Sequence, residues 1–191
     1  SAALKSTGNV TGVTSMRLKA MASDLQAVTK FGDETIISAQ ALMLTFTKIG
    51  RDVFPEAIKA TLNISEAMGQ NLQQTVIQVG KALNDPVKGM SALSRVGIQL
   101  SKTQQKQIRD FARMNKVAEA QKIILQELET QFGGMAVSAT QTLTGALMQL
   151  KNSWGDLLER IGNEIAPLLG TIAESFKSVT MAMMTEQEKE I

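Results

Sequence analysis

Helix-starting and helix-stopping residues recur along this chain at short intervals, and they limit how long any of its helices can be. Phe31-Gly32-Asp33, Gly50, Phe54-Pro55, Asn63, Asn84-Asp85-Pro86, Gly97, Ser101 and Gly133-Gly134 cut residues 14–134 into segments of a few turns each. As one continuous helix the chain would reach roughly 290 Å at ~1.5 Å per residue. The interruptions argue against such a rod. They favour short helices with matched apolar faces that fold back on one another.

The residues between the breaks are helix formers. Hydrophobic residues make up 43 % of the chain, mainly Leu, Ile, Ala, Val and Met, and β-branched residues dominate no run. The expected class is all-α, a compact multi-helix bundle. A first helix is expected from about Thr14 to Val28, with Met16, Leu18, Met21, Leu25 and Val28 on its apolar face. Asp33 then caps a helix running through Ile36, Ile37, Leu42, Leu44, Phe46 and Ile49 to Gly50. Its apolar residues cover most of its circumference, which predicts a central position.

Pro55 suits the first turn of a short segment ending near Ala60. Asn63 with Glu66 has the spacing of a capping box, which would start a new helix carrying Ile64, Met68, Leu72, Val76, Val79 and Leu83. Asp85 as N-cap and Pro86 at N1 open the next helix, to about Arg95, with Gly97 as its stop. Ser101 and Gln104 form a second capping-box pattern, before a helix using Ile108, Phe111 and Met114. A helix from about Val117 to Phe132 points Ile123, Ile124, Leu125 and Leu128 inward, and Gly133-Gly134 ends it.

The last part reads differently. Leu143, Leu147, Leu150, Trp154, Leu157, Ile161, Ile165, Leu168, Ile172 and Phe176 recur in steps of three and four. The early part is heptad-like, and extra steps of four later relax the left-handed supercoil. Leu143, Leu147, Leu150, Trp154, Leu157, Ile161, Ile165 and Leu168 are the expected helix seam. Pro167, near Gly162 and Gly170, should kink this long amphipathic helix or divide it. The expected division is a bundle over 1–134 and a coiled-coil-like helical segment over 135–191, with a charged tail from Thr185 that frays.

Little here supports chemistry. The chain has no His, Cys or Tyr, which removes Ser-His and Cys-His nucleophile pairs and His- or Cys-ligated zinc. The densest carboxylate pairs outside the tail, Asp33 with Glu34 and Glu127 with Glu129, lack calcium-loop spacing and read as caps or solvated helix faces. Nothing marks an acid–base carboxylate pair. The glycines form no phosphate cradle, and Lys88-Gly89 reads as a lone glycine in a short helix or turn. No catalytic residue and no cofactor is expected.

A net charge of +2 with interspersed signs does not indicate a nucleic-acid surface. Residues 130–150 carry no charge and have the length of a membrane span, but Gln131, Ser138, Thr140, Gln141, Thr142, Thr144 and Gln149 make insertion costly. Trp154 reads as a core or interhelical residue. Most of the 11 methionines read as core filler, with Met181, Met183 and Met184 clustered near one end. Ser1 in place of an initiator Met fits a fragment or processed product, and no signal peptide opens the chain.

Four blocks carry a resemblance. FGDETIISAQALMLTFTKIGRDVFPEAIKATLNISEAMG (Phe31 to Gly69), ALNDPVKGMSALSRVGIQLSKTQQKQI (Ala82 to Ile108), AQKIILQELETQFGG (Ala120 to Gly134) and GALMQLKNSWGDLLERIGNEIAPLL (Gly145 to Leu169) occur in this order. Together the chain resembles the tail tape measure proteins of long-tailed phages and prophages. The resemblance implies a structural protein that sets tail length and takes part in DNA ejection. It implies contact with the tail tube protein, tail assembly chaperones and the tail tip or initiator complex. It implies a place in the host cytoplasm during assembly and then in the virion tail lumen. The apolar stripe adds self-association as an expectation. Two other readings stand beside it: a membrane-active helical module that aids DNA passage across the inner membrane, and a generic helical adaptor.

Overall fold

The computed structural model describes residues 13–142 and 145–162. Among these the protein is all-α, as its composition predicts, with no strand. The helices are α1 (Ser15–Val28), α2 (Asp33–Met43), α3 (Phe54–Met68), α4 (Leu72–Asn84), α5 (Pro86–Arg95), α6 (Lys102–Arg113), α7 (Val117–Phe132) and the single-turn α8 (Met135–Ser138). A 3₁₀ turn, Ala139–Gln141, follows, and residues 145–162 are helical. The chain divides into one compact unit through Gln149 and a second from Leu150. The segment from residue 135 therefore begins inside the first unit.

Several expected caps form. Asp85 Oδ1 accepts from the Lys88 N–H with Pro86 at N1, and α5 ends at Arg95 before Gly97. Ser101 and Gln104 close a complete capping box: Gln104 N–H donates to Ser101 Oγ at 3.2 Å and Ser101 N–H to Gln104 Oε1 at 2.7 Å. Helix α7 runs from Val117 to Phe132, burying Ile124, Leu125 and Leu128. The apolar face of α1 is the expected one at its centre and falls short at both ends. Leu18 and Ala22 are buried and Met21 and Leu25 partly so, while Met16 and Val28 face solvent. Met114, at the end of α6, is also exposed.

The central helix is α3, not α2. Phe54, Ala57, Ile58 and the whole run Ala60–Ser65 are buried, and α2, α4, α7 and α8 all pack on α3. Asn63 starts no helix. It lies within α3, which continues to Met68 and ends at Gly69, whose φ of +60° is the left-handed conformation that favours glycine. The cap of α4 is Asn71, whose Oδ1 accepts from Gln73 N–H at 2.9 Å and Gln74 N–H at 3.4 Å. Glu66, expected to complete a box with Asn63, instead pairs with Lys30.

Helix α2 also stops short of Gly50. It ends at Met43, and turns carry the chain to α3 with Leu44, Ile49 and Val53 buried. Tertiary hydrogen bonds hold this stretch. Lys48 N–H donates to Asn84 Oδ1 at 3.1 Å, and the Lys48 carbonyl accepts from Gln121 Nε2 at 2.8 Å. The same Nε2 donates to the Leu83 carbonyl at 2.9 Å. One buried amide on α7 thus ties the connection before α3 to the end of α4.

Replacing Gln121 with Ala removes both bonds and leaves the buried Leu83 residue's carbonyl short of a donor, so urea unfolding should show a loss of ~2–4 kcal/mol. The exposed neighbour Lys122→Ala should stay within ~0.5 kcal/mol. A second expectation concerns Gly89, where a Cβ would strike the backbone of Ala82 across the α4–α5 contact. Neither backbone can yield without moving a helix, so Gly89→Ala should cost about 1–3 kcal/mol in the same measurement.

Candidate interaction surface

Carboxylates are the first place to look for chemistry in a chain without His or Cys. The structure gives Glu127 and Glu129 separate partners. Glu127 accepts from Gln104 Nε2 at 2.6 Å and from Gln131 Nε2 at 2.7 Å. These hydrogen bonds, Gln104's first, hold its carboxyl below the usual carboxylate value. That is the opposite of what a general acid needs near neutral pH. Glu129 pairs with Lys59 Nζ at 3.0 Å. Asp33 Oδ1 accepts from Glu34 N–H at 2.8 Å in the first turn of α2. Asp110 is held low by its hydrogen bond to Lys106, with the nearby arginines adding to it. Lys88 pairs with Asp85 at 3.5 Å, and Gly89 sits within α5. Among the described residues no group of three or more His, Cys, Asp and Glu is placed to hold a metal.

Apolar surface is more informative. In the helical run 145–162, Leu147, Leu150, Trp154, Leu157 and Ile161 are all exposed, Leu150 at 63 % and Trp154 at 59 %. Their steps of three and four put them on one face of that helix, and Met148 and Leu158 widen the stripe. Leu143, Ile165 and Leu168 lie outside the described residues, as do Pro167 and the Met181–Met184 cluster. The start of the run is fastened by Gln149 Nε2, which donates to the Ala27 carbonyl at 2.8 Å. Scattered exposed leucines are ordinary, but an ordered row with a tryptophan at its centre is the kind of patch that marks an interaction surface.

The charge-free stretch 130–150 is not one helix. It is shared by the end of α7, a Gly133-Gly134 break, α8, the 3₁₀ turn and the start of the run at 145. Among the described residues, no helix is long and apolar enough to cross a membrane.

The family model for prophage tail length tape measure proteins matches residues 1–109, more than half of the chain. The chain belongs to that family. The match takes in α1 through α5 and most of α6, so it lies on the bundle and contains two of the four blocks, Phe31–Gly69 and Ala82–Ile108. No curated protein and no solved structure matches the chain. Family membership makes this tape measure chain a structural component of the phage tail that works in contact with other tail components.

The lowered Glu127 carboxyl gives this tape measure chain a defined acid response. A carboxyl depressed in the folded state contributes stability above its ordinary value of 4.5, and that contribution is lost as pH falls through the depressed value. Urea midpoints measured from pH 6 to pH 3 should therefore fall toward acid. Glu127→Gln should lower the midpoint at pH 6 and flatten the acid limb.

Proposed function

We propose that this segment is a folded helical module of a tape measure protein that engages other tail components through the apolar face of residues 143–168. The observation that supports this is the exposed row Leu147, Leu150, Trp154, Leu157 and Ile161 on a chain of this family. Burying such a row against a partner helix is favourable at roughly 25 cal/mol per Å² of apolar surface removed from water. The row's a/d-like spacing suits knobs-into-holes packing. Leu143, Ile165 and Leu168 extend the same face by sequence.

In this reading a bundle over 1–134 is followed by a helical segment over 135–191, whose first turn, α8, packs on α3. The bundle holds a fixed place while extended parts of the tape measure set tail length. The partners are the tail tube protein, the assembly chaperones and the tip or initiator complex, met first in the host cytoplasm and then in the tail lumen. Release during DNA ejection requires these contacts to be reversible, which an exposed helix face permits more readily than a shared core.

The test is Leu150→Asp with Leu157→Asp, introduced into the prophage gene and into the purified chain. Both residues are exposed, so the purified variant should keep its melting temperature within a few degrees. Its Trp154 emission should no longer change with protein concentration or on mixing with tail components. Tails counted by electron microscopy should become rare or irregular in length. Normal numbers of tails at the normal length, made by a variant that still folds, would overturn the proposal.

A further inference from the structure

A second surface lies on the bundle. Helix α1 packs along α2 and makes no extensive contact with α3, while α3 packs closely on α7. The gap between α1, α3 and α7 is a groove of about 510 Å³. Its apolar lining comes from Met21 and Leu25 of α1, Pro55 and Ala60 of α3 and Leu125 of α7. Met21 and Leu25 are only partly buried although they lie on the core side of α1. Grooves of this size, within roughly 300–1,000 Å³, take apolar groups rather than single waters.

The rim of the groove is acidic. Among the described residues Asp24, Glu56 and Glu129 line it with a single cation, Lys59, which is already paired with Glu129 at 3.0 Å. Asp24 from α1 and Glu56 from α3 both line the groove and form no ion pair among the described residues. Apolar walls between helices, bordered by unpaired carboxylates, are complementary to one kind of occupant. It is an amphipathic helix that offers large apolar side chains at i, i+3 or i+4 spacing with Lys or Arg beside them. This chain's own exposed helix does not match. Around its stripe, Lys151 and Arg160 are balanced by Asp156 and Glu159.

We propose that the α1–α3–α7 groove is a docking site for a basic amphipathic helix of a partner protein. The apolar residues supply the binding surface, and Asp24 and Glu56 select for positive charge and set the helix in register.

The probe is a synthetic 14-residue helix of leucine and lysine, compared with the same leucine face flanked by glutamate. Methyl-labelled methionine spectra report where each binds, because Met21 lines the groove while Met16, on the same helix, is 82 % exposed and outside it. The leucine–lysine peptide should shift Met21 saturably at one-to-one stoichiometry and leave Met16 in place. The leucine–glutamate peptide should not. Asp24→Asn with Glu56→Gln should weaken the lysine peptide by ~3- to 10-fold, as expected for two partly exposed charge pairs. Leu25→Glu should abolish its binding.

Equal binding of both peptides, no effect of the Asp24 and Glu56 substitutions, or shifts spread over all methionines would overturn the proposal. A Met21 shift that follows protein concentration without any peptide would also overturn it, because the occupant would then be a second copy of the chain. The stripe variant Leu150→Asp with Leu157→Asp should bind the lysine peptide normally, which separates this surface from the seam.

Discussion

A helix buried on nearly every side cannot leave its polar side chains to water, and α3 carries Thr61, Asn63 and Ser65 in its buried run. An unsatisfied buried donor or acceptor costs about 1–3 kcal/mol, so each dictates something about its surroundings. Thr61 Oγ1 donates to the Ala57 carbonyl at 2.6 Å, and Ser65 Oγ to the Gln70 carbonyl at 2.7 Å, which shapes the exit from the helix. Asn63 Oδ1 accepts from the Ala136 N–H at 3.0 Å, in the first turn of α8. The bundle therefore needs α8 in place, although α8 has only four residues. Gln121 plays the corresponding part on the other side, where its amide holds Lys48 and Leu83. The apolar core gives the bundle its cohesion, and these few amides fix how the helices are joined.

The same contacts explain what the sequence made legible and what it did not. Caps that act within three residues of themselves, Asp85 and Ser101, are readable because the whole interaction lies in one short window. Asn63 has the composition of a cap and does cap a helix end, but the helix is α8, far along the chain. No local pattern distinguishes the two. The end of α2 was hidden for a similar reason. Residues 41–49 are apolar enough to continue a helix, and the turns there are held by Asn84 and Gln121 from distant helices.

The surfaces divide in the same way. The three-and-four spacing of Leu147, Leu150, Trp154, Leu157 and Ile161 was legible because helical periodicity is local, and these residues do fall in one helical run. The groove was not. Met21, Leu25 and Leu125 occupy ordinary core positions of their own helices, and only the separation of α1 from α3 leaves them lining an opening.

A uniform ruler would be a continuous rod, and the bundle is the reverse, since its turns and caps shorten the chain's reach. Family membership rests on residues 1–109, which lie within the first compact unit. The part that defines the family is thus a folded body, and in the helical run of 145–162 the side chains of Leu147, Leu150, Trp154, Leu157 and Ile161 are exposed. A folded body of this kind contributes less length per residue than a continuous helix would.

Native-state hydrogen exchange under increasing urea tests most directly whether α3 and α8 belong to one cooperative bundle. The amides of Thr61 to Ser65 in α3, of Ile124 in α7 and of Ala136 in α8 should converge on one opening free energy equal to that of global unfolding, as expected for a single cooperative unit. The amides of residues 150–162 should open at a much lower one. Exchange of Ala136 together with 150–162, and not with α3, would mean that the Asn63 bond does not join α8 to the bundle, and would contradict the central place of α3's buried polar groups.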